Sequence, residues 1–417
     1  MSAVFVIKVF GFSQSSSTED KENKGVSKME RQKKSEMHIN DDDTNDTNKL
    51  SDLPDHLLLH IIEFMNTKQS VQTCVLSKRW KDLWKNRTNL KFLHSYPDKS
   101  PTFCKFVSQI LSCRDTSIPL HSVHFEHVGH VNPPKTTLLE VMKYAVSHNV
   151  QQLTVNAEVK YLRDLELSPY IFSCQSLTFL KLGFWQRYDS NGTMFPKSLN
   201  LPSLKILHLL DFTFTTSDNG CAEPFSKCKM LNTLVIISCH LQDDAQALCI
   251  SNSEVSSLTI GSNNLYVKED RNYKVVFSTP KLTSLTINGP PSFEAPSASN
   301  LPFLEEVYID YITYYYKPYE GRVMISWLQL LANVKIMKLS SDALDLILLA
   351  LKMTGSVAIQ PPSFVKLKSL KVQFSSGTMV CYERVTRMVK FLLQNSPRAR
   401  VDIIKRTTKL FSYRVST

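Results

Sequence analysis

One short pattern dominates the chain: an aliphatic residue followed three and five positions later by two further apolar residues. Ten copies begin at Leu120, Val150, Leu177, Leu204, Leu231, Val255, Leu282, Leu304, Val334 and Leu367. The clearest are Leu177-Leu180-Leu182, Leu204-Leu207-Leu209, Leu231-Leu234-Ile236, Val255-Leu258-Ile260 and Leu282-Leu285-Ile287, whose starts lie 27, 27, 24 and 27 residues apart. Alternate residues of a short strand point to one face, so the second and third positions of each copy face inward together while the leading residue packs beneath the turn into the strand. No copy can bury that face alone; stacked copies make one continuous parallel sheet around a shared core.

The interval and spacing are those of a leucine-rich repeat. The expected fold is α/β: a repeat solenoid over residues 96–360 with a parallel sheet on its concave face, and short segments rich in Pro, Ser and Lys, such as Pro196 to Pro202 and Pro224 to Lys229, on the convex side. The asparagine that such repeats place after the strand is mostly missing, with Asn263 and Asn288 as partial substitutes, so regular curvature is not implied. Later intervals of 22, 30 and 33 residues indicate insertions, one holding a helical-looking stretch from Trp327 to Val334. Residues 361–417 hold the last repeat, an amphipathic helix from about Tyr382 to Asn395 and an apolar run at Val401 to Ile404, expected to cap the open end of the stack.

Ahead of the repeats a different period holds. Residues 1–48 form an expected disordered tail, since Ser13 to Asn48 has almost nothing apolar to offset the entropy of ordering. Met1 to Phe12 is apolar but lacks the charged leader and cleavage pattern of a secretory signal, and Lys28, Arg31, Lys33 and Lys34 suit either a solvated tail or a nuclear import signal. From residue 49 to 95 three short helices are expected. Pro54 suits a first turn, Leu57, Leu58, Ile61, Ile62 and Met65 recur at helical spacing, Asn66 and Thr67 restart the chain, and Ser77 precedes Trp80, Leu83 and Trp84. Three helices of this length make too small a core, which implies a partner's apolar surface.

Residues Leu53 to Met65, Val71 to Trp80 and Leu83-Trp84 resemble the F-box of the plant F-box/leucine-rich-repeat family, and Phe391 to Pro397 with Val401-Asp402-Ile403 look like the end of the FBD region found with it. The resemblance implies a substrate-recognition subunit of a ubiquitin ligase that docks on a SKP-type adaptor and, through it, a cullin. Its adaptor surface maps onto Leu53, Pro54, Leu57, Ile61, Val75, Leu76 and Trp80, although Ile61 and Trp80 equally suit internal packing. The repeats would hold a protein substrate, with the aromatic groups around Trp185 and Tyr188 and around Tyr308, Tyr311 and Tyr315 as candidate anchors.

Other function classes find less support. No phosphate-cradling loop or nucleophile-base signature is present, so no catalytic residue and no cofactor is assigned. The nine cysteines are scattered, as buried thiols of a reducing compartment would be; Cys221, Cys228, Cys239 and His240 come nearest to a metal cluster, but their spacing matches no zinc module. No stretch reaches the apolar length of a membrane span, which leads us to expect a soluble chain of the cytoplasm, the nucleus or both. The formal charge of +11 favours acidic partners. A scaffold outside any ligase is the alternative reading, ahead of a nucleic-acid-binding solenoid, for which the sequence shows only a diffuse basic excess.

Overall fold

Period-2 alternation builds strands wherever the repeat occurs. The structure, a computed structural model, describes residues 53–94, 100–128, 133–159, 167, 169–185, 192–216, 220–242, 246–262, 273–289, 293–294, 301–311, 318–353, 362–374, 382–396 and 399–405. The expected N-terminal tail lies outside them. The chain divides into two units, one of residues 1–87 and 113–118, the other of residues 88–112 and 119–417.

The larger unit is organised by a twelve-stranded sheet. Its strands are β1 (Asn89–His94), β2 (Ser122–His127), β3 (Gln152–Glu158), β4 (Phe179–Trp185), β5 (Ile206–Leu210), β6 (Thr233–Ile237), β7 (Ser257–Gly261), β8 (Ser284–Asn288), β9 (Glu306–Asp310), β10 (Ile336–Ser340), β11 (Ser369–Phe374) and β12 (Arg400–Lys405). Each pairs in parallel with the strand before it. All ten leading residues of the repeat are 6% exposed or less, and the inward pair of every copy 1% or less. Each such side chain contributes about 1.5–3 kcal/mol by leaving water.

Two strands carry no leading aliphatic residue. Leu90 and Phe92 of β1 are buried, but position 87 holds arginine; likewise Arg398 precedes Val401 and Ile403 of β12. The first strand thus begins inside the segment that sequence reasoning assigned to helices.

The missing asparagines are replaced at the strand exits by backbone turns. Asp211, Ser238 and Gly289 adopt positive φ of 60°, 53° and 69°. The amide of Asp211 donates to the Ile237 carbonyl, that of Ser238 to Gly261, and that of Gly289 to Asp310, at 2.7–3.1 Å, which ties each turn to the next repeat. One buried asparagine does serve between repeats: Asn252 donates through Nδ2 to the carbonyls of Phe225 and Cys228, each at 3.0 Å.

Two smaller parallel sheets accompany the main one. Thr193–Phe195, Phe212–Phe214 and His240–Leu241 form the first; Cys221–Ala222, Ala247–Ser251, Tyr273–Ser278 and Phe293–Glu294 form the second. Phe195 makes edge contacts with Phe172, Phe212 and Phe214. The helical stretch expected at Trp327 to Val334 is instead the helix Pro318–Leu330, and Trp327 is fully buried. It packs on the helix Ser341–Met353, where a Cβ on Gly321 would lie 2.5 Å from the Ala350 Cβ.

The eight described cysteines are free. Burial pushes the Cys228 thiol up to about 11 and raises that of Cys239 as well, which keeps both protonated and unreactive at neutral pH. Among the described residues no group of three or more His, Cys, Asp or Glu is placed to hold a metal ion.

Candidate functional site: an exposed apolar face on the helical unit

The smaller unit starts with the helix Asp55–Glu63, preceded by Pro54, whose carbonyl accepts from the amides of Leu57 and Leu58 at 3.0 and 3.2 Å. A second helix, Thr67–Gln72, starts where the sequence suggests, and Asn66 and Gln69 cap it reciprocally. The expected third helix is absent: Ser77 starts turns that reach only a short 3-10 segment, Leu83–Asn86. The amide of Trp80 bonds to the Ser77 carbonyl at 3.2 Å, and the Cys74 thiol donates to the Lys81 carbonyl, so local bonds satisfy this stretch without a helical ladder.

The core of this unit is Leu58, Ile62, Trp80 and Leu83, with Leu53, Leu59 and Ile61 packed partly buried against it. Trp80, at 2% exposure, is therefore corrected from a contact candidate to an internal residue: its ring fills the centre of a small core. Leu53 and Ile61 are half-buried, whereas Pro54 is exposed. Leu57, Val75 and Leu76 stand 40%, 65% and 59% exposed, joined by a residue that sequence reasoning missed, Phe64, at 81%. Helical periodicity did not flag Phe64, because the spacing assigns the apolar stripe to its neighbour Met65. Four large apolar side chains of so small a unit thus stand in water, as those of a binding surface do.

Arg87, also missed, holds the frame of this face. It is buried, donates to the Met65 carbonyl at 2.9 Å and to Ser70 Oγ, and stands 3.6 Å from the Glu63 carboxylate. Ser70 Oγ in turn donates to the Asn66 carbonyl at 2.9 Å. Burial lowers the Arg87 pKa and Glu63 opposes that shift. The residues on both sides of Phe64 are thereby held by one guanidinium.

The open face of the main sheet is the second candidate surface. Register brings Lys91, His124, Thr154, Lys181 and His208 into one row on β1 to β5, and continues it through Thr286, Tyr308, Lys338 and Lys371 to Asp402. Tyr308 is half-buried on this face and donates to Gln373 Oε1 at 3.2 Å, two strands away. Tyr311 is corrected: it is fully buried, bonds through its hydroxyl to the buried Glu320, and its amide donates to Ser340 Oγ at 2.9 Å, so it braces the helix Pro318–Leu330 rather than facing a ligand. The Trp185 side chain, Tyr188 and Tyr315 lie outside the described residues.

Residues 50–92 match the family model of the F-box domain, and residues 139–314 match that of the leucine-rich repeats of the FBD-associated F-box protein At5g56370. Among Arabidopsis thaliana proteins the chain is similar to the putative F-box/FBD/LRR-repeat protein At1g16940, 26% identical over 72% of this chain and 62% of the relative. It is 28% identical to the F-box/FBD/LRR-repeat protein At5g22660 over 57% of this chain and 52% of the relative. The FBD-associated F-box protein At5g60610 is 27% identical over 85% of this chain and 81% of its own length. The chain thus spans 62% and 52% of the first two relatives. Family models and relatives agree in an F-box followed by leucine-rich repeats, the organisation of the plant F-box/LRR/FBD proteins that the chain resembles.

Proposed function

We propose that this chain is the substrate-recognition subunit of a SKP–cullin–F-box ubiquitin ligase, with the helical unit of residues 49–95 docking on a SKP-type adaptor and the repeats of residues 96–360 holding a protein substrate. The FBD-like end, residues 361–417, would close the repeat stack, whose sheet would line a concave face. The observation that carries the reading is the exposure of four large apolar side chains, Leu57, Phe64, Val75 and Leu76, on a unit that matches an F-box. An adaptor that covers these side chains removes them from water, which drives association without charge pairing. The chain itself breaks no bond in this scheme; it raises the local concentration of a substrate beside a ubiquitin-charged enzyme.

Co-purification of the full chain with a SKP-type adaptor tests this. Wild type is expected to retain the adaptor, and Val75→Asp/Leu76→Asp to lose it by at least about tenfold in affinity while keeping its thermal transition. Failure of folded wild type to bind would replace the ligase role with that of a scaffold outside any ligase.

A further inference from the structure

The basic excess, diffuse at first reading, is confined to one end of the chain. Residues 1–334 carry 34 Lys and Arg against 34 Asp and Glu, whereas residues 335–417 carry 15 against 4, which is the whole of the +11. The described residues of that segment build β10, β11 and β12 with the helices Ser341–Met353 and Tyr382–Leu392.

Register sharpens the asymmetry. Lys338 of β10 lies directly opposite Lys371 of β11, and one step before the sheet the amide of Lys368 bonds to the Lys335 carbonyl at 2.8 Å. Like charges facing each other on neighbouring strands destabilise a sheet. In both pairs the β10 lysine is neutralised by a neighbouring glutamate, Lys338 by Glu306 and Lys335 by Glu305. Lys335 and, more weakly, Lys368 hold the Glu305 carboxyl below its usual range. The β11 partners Lys368 and Lys371 make no ion pair among the described residues, and Arg400 of β12 donates its amide to the Lys368 carbonyl at 2.9 Å.

We infer that this corner of the sheet binds an acidic peptide segment, with carboxylates on Lys368 and Lys371; that the segment belongs to a recruited substrate rests on the function proposed above. A carboxylate-bearing segment supplies the counter-charge that the β10 lysines already have. Glu305, Glu306 and Asp402 lie among the lysines, where they would repel a continuous phosphodiester but accept peptide amides. Stacking platforms for nucleobases are sparse: Tyr308 is the one aromatic ring on the open face of β9 to β11 among the described residues.

The test is fluorescence anisotropy of the full chain with a labelled peptide of about 15 residues of Glu, Asp and Gly, at about 50 and about 300 mM salt. Lys368→Glu/Lys371→Glu is expected to weaken binding about tenfold or more, the milder Lys368→Gln/Lys371→Gln about threefold, and the distant exposed pair Lys227→Glu/Lys229→Glu less than twofold. Equal loss in the distant pair, no binding by folded wild type, or tighter binding of single-stranded DNA of equal charge would overturn the inference. Adaptor co-purification with the same proteins separates the two readings. A chain that retains the adaptor and ignores the peptide refutes the acidic-segment site alone; one that binds the peptide through Lys368 and Lys371 without the adaptor refutes the ligase role alone.

Discussion

Arg87 donates to the carbonyl oxygen of Met65 at 2.9 Å across 22 positions of sequence, and through that bond fixes the turn that presents Phe64. Removing the guanidinium leaves Glu63 and Ser70 without their charged partner in a unit with few buried side chains. Arg87→Ala is expected to destabilise the helical unit by about 3 kcal/mol. Hydrogen exchange reports it directly: protection should fall across residues 63–73 and stay unchanged in β6 to β8.

Phe64 and Trp80 should respond in opposite ways. Phe64→Ala removes an exposed ring, so the thermal transition should hold while adaptor affinity falls about tenfold. Trp80→Ala empties the centre of the small core and is expected to cost about 3–5 kcal/mol of stability. Loss of stability in Phe64→Ala would contradict the placement of that ring.

A buried histidine makes the repeat unit sensitive to acid. His127 stacks on His94 at 4.0 Å between ring centroids, and its Nε2 is paired with Ser100 Oγ at 2.9 Å. Burial, with a smaller contribution from His94, lowers its pKa from 6.5 to about 4. The unfolded chain therefore takes up this proton first: stability is complete above pH 6.5, falls as the pH drops below it, and levels off once the pH is below about 4. The loss should reach about 2 kcal/mol between pH 7.5 and 5, and chemical denaturation of His127→Gln should show that much less dependence on pH over the same window.

Gly321 is where two helices touch without a side chain between them. A Cβ there would come within 2.5 Å of the Ala350 Cβ and 2.8 Å of the Leu346 carbonyl oxygen. Gly321→Val is expected to cost about 1–3 kcal/mol through displacement of the helix Ser341–Met353, measured as a lower unfolding temperature of the repeat unit.

Periodic features were legible in the sequence and singular ones were not. Residues from Leu120 to Val372 announce the sheet because each inward position is filled by a type that the stack alone demands. Strands β1 and β12 escape the pattern because arginine occupies their leading position, at 87 and 398. The helical segment is visible as a helical period with caps, yet the period cannot say which apolar residues close the core, and so it leaves Trp80 open between core and contact surface and passes over Phe64. Tyr311 misleads for a similar reason: a run of tyrosines reads as a contact surface until the buried partner of one hydroxyl, Glu320, is seen. The segregation of charge is open to anyone who counts by segment, but only register shows that Lys338 faces Lys371.

Every strand of the main sheet pairs with its predecessor in the chain, and that ordering has a consequence for biosynthesis. From β2 onward, each new strand finds its template already made when it leaves the ribosome, and none waits for a distant segment still to be translated. At about 5–20 residues per second a repeat emerges in a few seconds, so each strand is offered to its predecessor before the next has been made. The sheet can thus be laid down in the order of its synthesis, and the apolar side of an unfinished stack is never larger than the last strand added.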